Sequence, residues 1–100
     1  MNRTYYTDYV RHALRFYSRN AISTPIFKSE ADKQNWWSCH STFGSFPEKT
    51  KLILLEVYSG HDTLPDEVYN ASKKWKVEQN WIWDLMKATE RKIAYRRGLM

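Results

Sequence analysis

Apolar and polar positions along this chain follow the helical period rather than the alternation of a strand. Between Thr4 and Ser18, residues Tyr6, Tyr9, Val10, Ala13, Leu14 and Tyr17 recur at steps of three and four, with the arginines largely between them. That spacing predicts an amphipathic helix. "NAISTPIF" follows as a loop broken by Pro25. "SEAD" opens a second helix, with Ser29 as N-cap and Asp32 at the capping-box position, running to about Ser41. "FGSFPEK" interrupts it. Pro47 then sits at a helix start, Glu48 complements the helix dipole, and Leu52, Ile53, Leu55 and Val57 make this third helix the most apolar. Gly60 is placed to end it as a C′ residue. Thr63 caps a fourth helix with Pro65, Asp66 and Glu67 in its first turn, ending near Lys74. A fifth runs from about Glu78 to Tyr95, with Gly98 after it. The pattern therefore predicts an all-α fold of about five helices and no strand pair.

Composition narrows this reading. The chain has 100 residues, enough for one domain with one modest core. Its 42% hydrophobic and 16% aromatic content supplies that core, and three Gly and three Pro are few for a turn-rich β fold. A single Cys, Cys39, forms no internal disulfide, and no apolar run approaches the roughly 18 residues of a membrane span. With no apolar leader at its start, the sequence reads as a soluble cytoplasmic protein with no membrane contact.

The net charge is +5. Arg3, Arg11, Arg15 and Arg19 against Asp8 give the first 20 residues +3, residues 21–77 are neutral, and residues 78–100 carry +2. A basic excess at both ends suits a polyanion partner, although a plain solvated basic surface produces the same balance. Enzyme chemistry is not indicated. His12, Cys39, His40 and His61 have no metal-ligand spacing, adjacent Cys39 and His40 fall on different helix faces, and no Gly-rich phosphate loop is present. The reading therefore includes no cofactor and no metal.

The informative constellation is at the C-terminal end. A helix over Thr63–Lys74, a short turn at Trp75–Val77 and a helix over Glu78–Tyr95 form a helix-turn-helix pattern. Val68 and Ala71 are apolar where the helices must cross, Val77 plugs the turn, and Ile82, Leu85, Met86, Thr89 and Ile93 form one inner stripe. The opposite face is then Gln79, Asn80, Trp83, Asp84, Lys87 and Arg91. Gln and Asn near a helix N-terminus suit adenine edges, and Lys and Arg farther along suit phosphates. Trp81 and Trp83 lie about 200° apart on a helix. Trp81 falls on the flank of the inner stripe and Trp83 closest to the outer face, unless the first two helices fold over Trp83.

Residues 46–95, "FPEKTKLILLEVYSGHDTLPDEVYNASKKWKVEQNWIWDLMKATERKIAY", resemble the C-terminal DNA-binding region of bacterial sigma-70-type factors, which reads the −35 promoter element. The match rests on Phe46–Tyr58, on the capped segment Thr63–Tyr69, on Val77, and on Ile82, Met86 and Ile93. The chain departs from that pattern at Tyr69, where the family has Ala, and at Trp75 or Lys76, where it has Gly. Trp83 and Asp84 also dilute the Arg-rich face, and residues 1–45 are too short for the domain that melts the −10 element. The resemblance implies a stand-alone regulator of bacterial or phage type, with residues 1–45 packed on a helix-turn-helix over 46–97 in a single domain. The expected DNA-binding residues are Lys73, Lys74, Lys76, Gln79, Asn80, Trp83, Lys87 and Arg91. The expected partner is double-stranded DNA. The alternative is an adaptor that docks on RNA polymerase or another protein without DNA. A twofold DNA site would require a homodimer, which the sequence leaves open.

Overall fold

The computed structural model describes residues 5–21 and 24–100. Five helices occur in it: α1 (Thr7–Arg19), α2 (Glu30–Gly44), α3 (Glu48–Ser59), α4 (Leu64–Trp75) and α5 (Gln79–Arg96), with no strand among the described residues. The expected start of the first helix at Thr4 lies outside the described residues, as do Arg3 and part of the "NAISTPIF" loop. Among the described residues, no helix is long and apolar enough to cross a membrane.

Local chemistry explains the boundaries. Ser29 Oγ accepts the Asp32 N–H at 3.1 Å, so the expected cap starts α2. Thr63 Oγ1 accepts the Asp66 N–H at 3.5 Å and starts α4. The α5 helix ends in a Schellman motif. Leu99 N–H bonds to Ala94 O at 2.8 Å, Gly98 N–H bonds to Tyr95 O at 3.1 Å, and Gly98 adopts φ 71°. Gly60 follows the last residue of α3, as expected, but as its C-cap in extended geometry, with φ −66°. Its missing side chain serves close approach: a Cβ there would lie 2.1 Å from the Glu67 carboxylate. That carboxylate accepts the Asp62 N–H at 3.1 Å.

The helices share one core. Val10, Leu14, Trp36, Phe43, Ile53, Leu54, Val57, Tyr58, Val68, Ile82, Met86 and Ile93 are all buried in it. The α1 helix packs on α2, α3 and α5, so the N-terminal segment forms part of the core rather than an appendage. Of the apolar run expected to be buried, the third helix buries Ile53 and Val57, leaves Leu55 half-buried and Leu52 41% exposed, and buries Leu54 and Tyr58 as well. Around α2, Trp36 stacks on His40 at 4.8 Å, and Tyr17 meets Trp36 edge-on at 5.4 Å and Phe43 at 5.2 Å. Cys39 lies fully buried among these elements, and burial pushes its thiol up to about 12, where it is unreactive.

Three arginines of α1 are bonded to other helices or their ends. Arg11 Nε donates to Glu90 Oε2 at 2.9 Å, and Tyr58 Oη donates to the same oxygen at 2.6 Å. Burial first, and then the Glu90 carboxylate, hold the Tyr58 hydroxyl well above the ordinary tyrosine range, so it remains a donor. Arg15 Nη1 and Arg19 Nη2 donate to Gly60 O at 2.9 and 3.0 Å. They thus neutralise carbonyls left open at the C-terminus of α3. The N-terminal basic excess is therefore partly structural charge, which the sequence does not reveal.

The turn between α4 and α5 is short and tight. Lys76 takes left-handed geometry, φ 56° and ψ 47°, and its N–H bonds to Ser72 O. Val77 N–H also bonds to Ser72 O, and Ser72 Oγ donates back to Val77 O at 2.7 Å. Left-handed backbone strains a residue with a Cβ but not glycine. Lys76→Gly is therefore expected to raise unfolding stability by about 0.5–1 kcal/mol in urea denaturation. A loss of stability would show that the lysine side chain holds the turn.

Candidate nucleic-acid interface

The turn fixes where α5 leaves α4, and the inner stripe fixes which way α5 faces. Val68 and Ala71 are buried at the crossing, and Val77 packs against the core. On α5, Ile82, Met86, Thr89 and Ile93 are buried as expected, while Leu85 is only half-buried. Glu90 and Ala94 are buried as well, which the inner stripe did not include. Glu90 faces α1 through Arg11. The buried arc is thus wider than the sequence implies and is rotated toward the N-terminal helices.

That rotation bears on Trp83, for which the sequence leaves both an outward and a covered placement open. Trp83 is half-buried and packs against the core. Trp81 is the more exposed, at 42%. Trp83 therefore leaves the outer face, as the wider arc requires. The exposed stripe that remains is Asn80, Asp84, Lys87 and Arg91, at steps of four, three and four. It spans about 16 Å along the axis at 1.5 Å per residue. Exposed Trp81, Ala88 and Tyr95 run beside it at steps of seven.

The other expected residues fall into three groups. Gln79, Asn80, Lys87 and Arg91 are exposed and make no hydrogen bond or ion pair among the described residues. Lys76 is exposed in the turn. On α4, Lys73 is exposed with its ammonium 5.0 Å above the Tyr69 ring. A hydrogen bond donated to the Tyr69 oxygen, and then the charge of Tyr69, raise the Lys73 pKa. Lys74 is already engaged. Its Nζ lies 2.6 Å from Glu56 Oε1, and Trp75 Nε1 donates to Glu56 Oε2 at 3.1 Å. These two bonds tie α4 to α3. Lys74 thus serves the fold before it serves any ligand.

A second polar cluster holds the end of α5. Arg97 Nη1 donates to Gln34 Oε1 at 2.9 Å, and its Nε donates to Asn35 Oδ1. Asn35 Nδ2 donates to Tyr9 Oη at 3.1 Å. The bond to Asn35, and then Arg97, lower the pKa of Tyr9. Tyr5 Oη donates to the Leu99 carbonyl. Arg97, counted among the free basic residues by its position in the sequence, is therefore an internal tie.

The surface left by this accounting is a helix with polar readers at its first turn, an acid in the middle, and cations farther along. Asn suits adenine, a carboxylate suits the cytosine amino group, and Lys and Arg suit phosphates or guanine. Comparison with protein-family models, with curated proteins and with solved structures gave no match to this chain.

Proposed function

We propose that the protein is a small DNA-binding helix-turn-helix protein of the transcription-regulator type, acting in the cytoplasm, with α5 as the reading helix. One observation carries the reading. The α5 stripe Asn80–Asp84–Lys87–Arg91 is exposed, has no intramolecular partner among the described residues, and follows a three-residue turn. Such a stripe suits the major groove, about 12 Å wide. Asn80 and Asp84 approach base edges, with Gln79 beside them. Lys76, Lys87 and Arg91 approach phosphates, and Lys73 adds a backbone contact from α4. The resemblance of residues 46–95 to the sigma-70-type C-terminal region supports the same assignment.

The test is fluorescence anisotropy of labelled duplex DNA, random and promoter-like, at two salt concentrations. Wild type is expected to bind in the micromolar range, with affinity falling steeply as salt rises. Lys87→Glu/Arg91→Glu is expected to weaken binding about 100-fold and to flatten the salt slope by about two. No binding at low salt by a protein that is folded by circular dichroism would overturn the assignment.

A second reading is a protein adaptor, with RNA polymerase as one candidate partner. It is favoured by Trp81 and Tyr95, 42% and 74% exposed beside the stripe, since exposed aromatic residues anchor protein contacts. Salt-insensitive binding to a protein, without DNA affinity, would select it.

A further inference from the structure

The second half of α5 borders an open groove of about 690 Å³. Along the helix it is lined by Ala88, Arg91, Lys92, Tyr95 and Arg96, and its far side is Ser45, just past α2, with Met100 at the end. These α5 positions span about 12 Å, just over two helical turns.

Two properties of the groove restrict its occupant. The first is charge. Arg91, Lys92 and Arg96 line it and no acidic residue does. The neighbouring acid, Glu90, is buried and held by Arg11 and Tyr58, so it neutralises none of them. Arg91 and Arg96 make no ion pair among the described residues, and Lys92 rests 5.6 Å over the Phe46 ring, which leaves its charge unpaired. Lys92 and Arg96 stand four residues apart, so their charges rise one above the other about 5–6 Å apart. The second property is apolar surface. Tyr95 is 74% exposed and Met100 58% exposed, with Ala88 between the cations. Phosphates of a duplex would meet the cations but would leave that apolar surface wet. A segment carrying both acids and apolar side chains covers both.

We propose that this groove docks a short acidic amphipathic helix of a partner protein, with carboxylates at i and i+4 facing Lys92 and Arg96 and an apolar ridge on Tyr95 and Met100. The site is separate from the Asn80–Lys87 end of the reading stripe and does not depend on DNA binding. Arg91 is shared between the two, so it is left unaltered in the test.

The probe is a labelled synthetic helix of about 18 residues, with glutamates at i,i+4 pairs and leucines on one face. Its controls are a scrambled peptide of the same composition, a polyglutamate and a single-stranded thymidine oligonucleotide. Anisotropy at about 0.15 M salt is the readout. The helix is expected to bind at least about tenfold tighter than its scramble. Lys92→Glu/Arg96→Glu should cut that binding at least about tenfold, and Tyr95→Ala about threefold. Lys87→Glu should leave it unchanged, although it weakens duplex DNA, so the two sites fail separately. Three results would overturn the proposal: no binding of the helix below about 1 mM, equal binding of the scramble or polyglutamate, or tighter binding of the oligonucleotide. Binding of the helix that survives Lys92→Glu/Arg96→Glu would overturn it as well.

Discussion

Glu90→Ala is expected to destabilise the protein by about 3–4 kcal/mol in denaturant unfolding. Glu90 is 4% exposed, and one of its oxygens accepts from Arg11 and from Tyr58. Removing the carboxylate leaves the Tyr58 hydroxyl, in a side chain 0% exposed, without its acceptor. It also leaves the Arg11 guanidinium facing a cavity, although 24% exposure lets water reach part of it. A domain of this size has about 5–15 kcal/mol in total, so the loss is a large fraction of stability. The midpoint of thermal unfolding should fall by about 15–25 °C. Arg11→Met/Glu90→Leu, which removes both charges and refills the space, should recover the part of the loss due to the unpaired guanidinium, while the Tyr58 hydroxyl still lacks its acceptor. A Glu90→Ala protein within about 1 kcal/mol of wild type would show that water replaces the carboxylate without cost.

The second large effect separates two adjacent tryptophans. Trp36→Ala is expected to cost about 3–5 kcal/mol, and Trp37→Ala about 1 kcal/mol. Trp36 is 2% exposed and touches Tyr17, Phe27, Trp37 and His40, whereas Trp37 is 44% exposed. The Trp36 indole N–H has no partner among the described residues. Trp36→Phe therefore loses volume but no hydrogen bond, and should cost about 1.5 kcal/mol. Equal destabilisation by Trp36→Ala and Trp37→Ala, measured by urea titration of tryptophan fluorescence, would contradict this account of the core.

What sequence reveals here is local chemistry. The caps Ser29 and Thr63 act on bonds three residues away, so their helices start where the pattern places them. The inner residues Ile82, Met86 and Ile93 repeat within one helix, so their burial is legible too. What fails is whatever depends on distant neighbours. Glu90 reads as one more charge in a basic tail, and only its distant partners, Arg11 and Tyr58, make it a core residue. The wider inner arc of α5 also takes in Trp83 and leaves Trp81 more exposed, a choice that the sequence leaves open. Arg15 and Arg19 read as surface charge because the Gly60 carbonyl that receives them belongs to another helix. Gly60 is legible as the end of α3, but the Glu67 carboxylate that requires a glycine there is invisible to a one-dimensional pattern. Of the candidate interface, Gln79, Asn80, Lys87 and Arg91 were legible as one exposed face. The engagement of Lys74 by Glu56 was not.

The Arg11–Glu90 pair also has a consequence for how the chain assembles. Until α1 arrives, the middle of α5 carries an ion that must stay hydrated, and Arg11 is separated from it by 79 positions. The helical hairpin of α4 and α5 therefore lacks the means to dry its own inner surface. Closing that long loop is a slow, entropically costly event, and it comes before the last stretch of core can form. The two ends of the sequence are thus committed in one cooperative step, and the α4–α5 unit is not a module that can be cut free and remain folded.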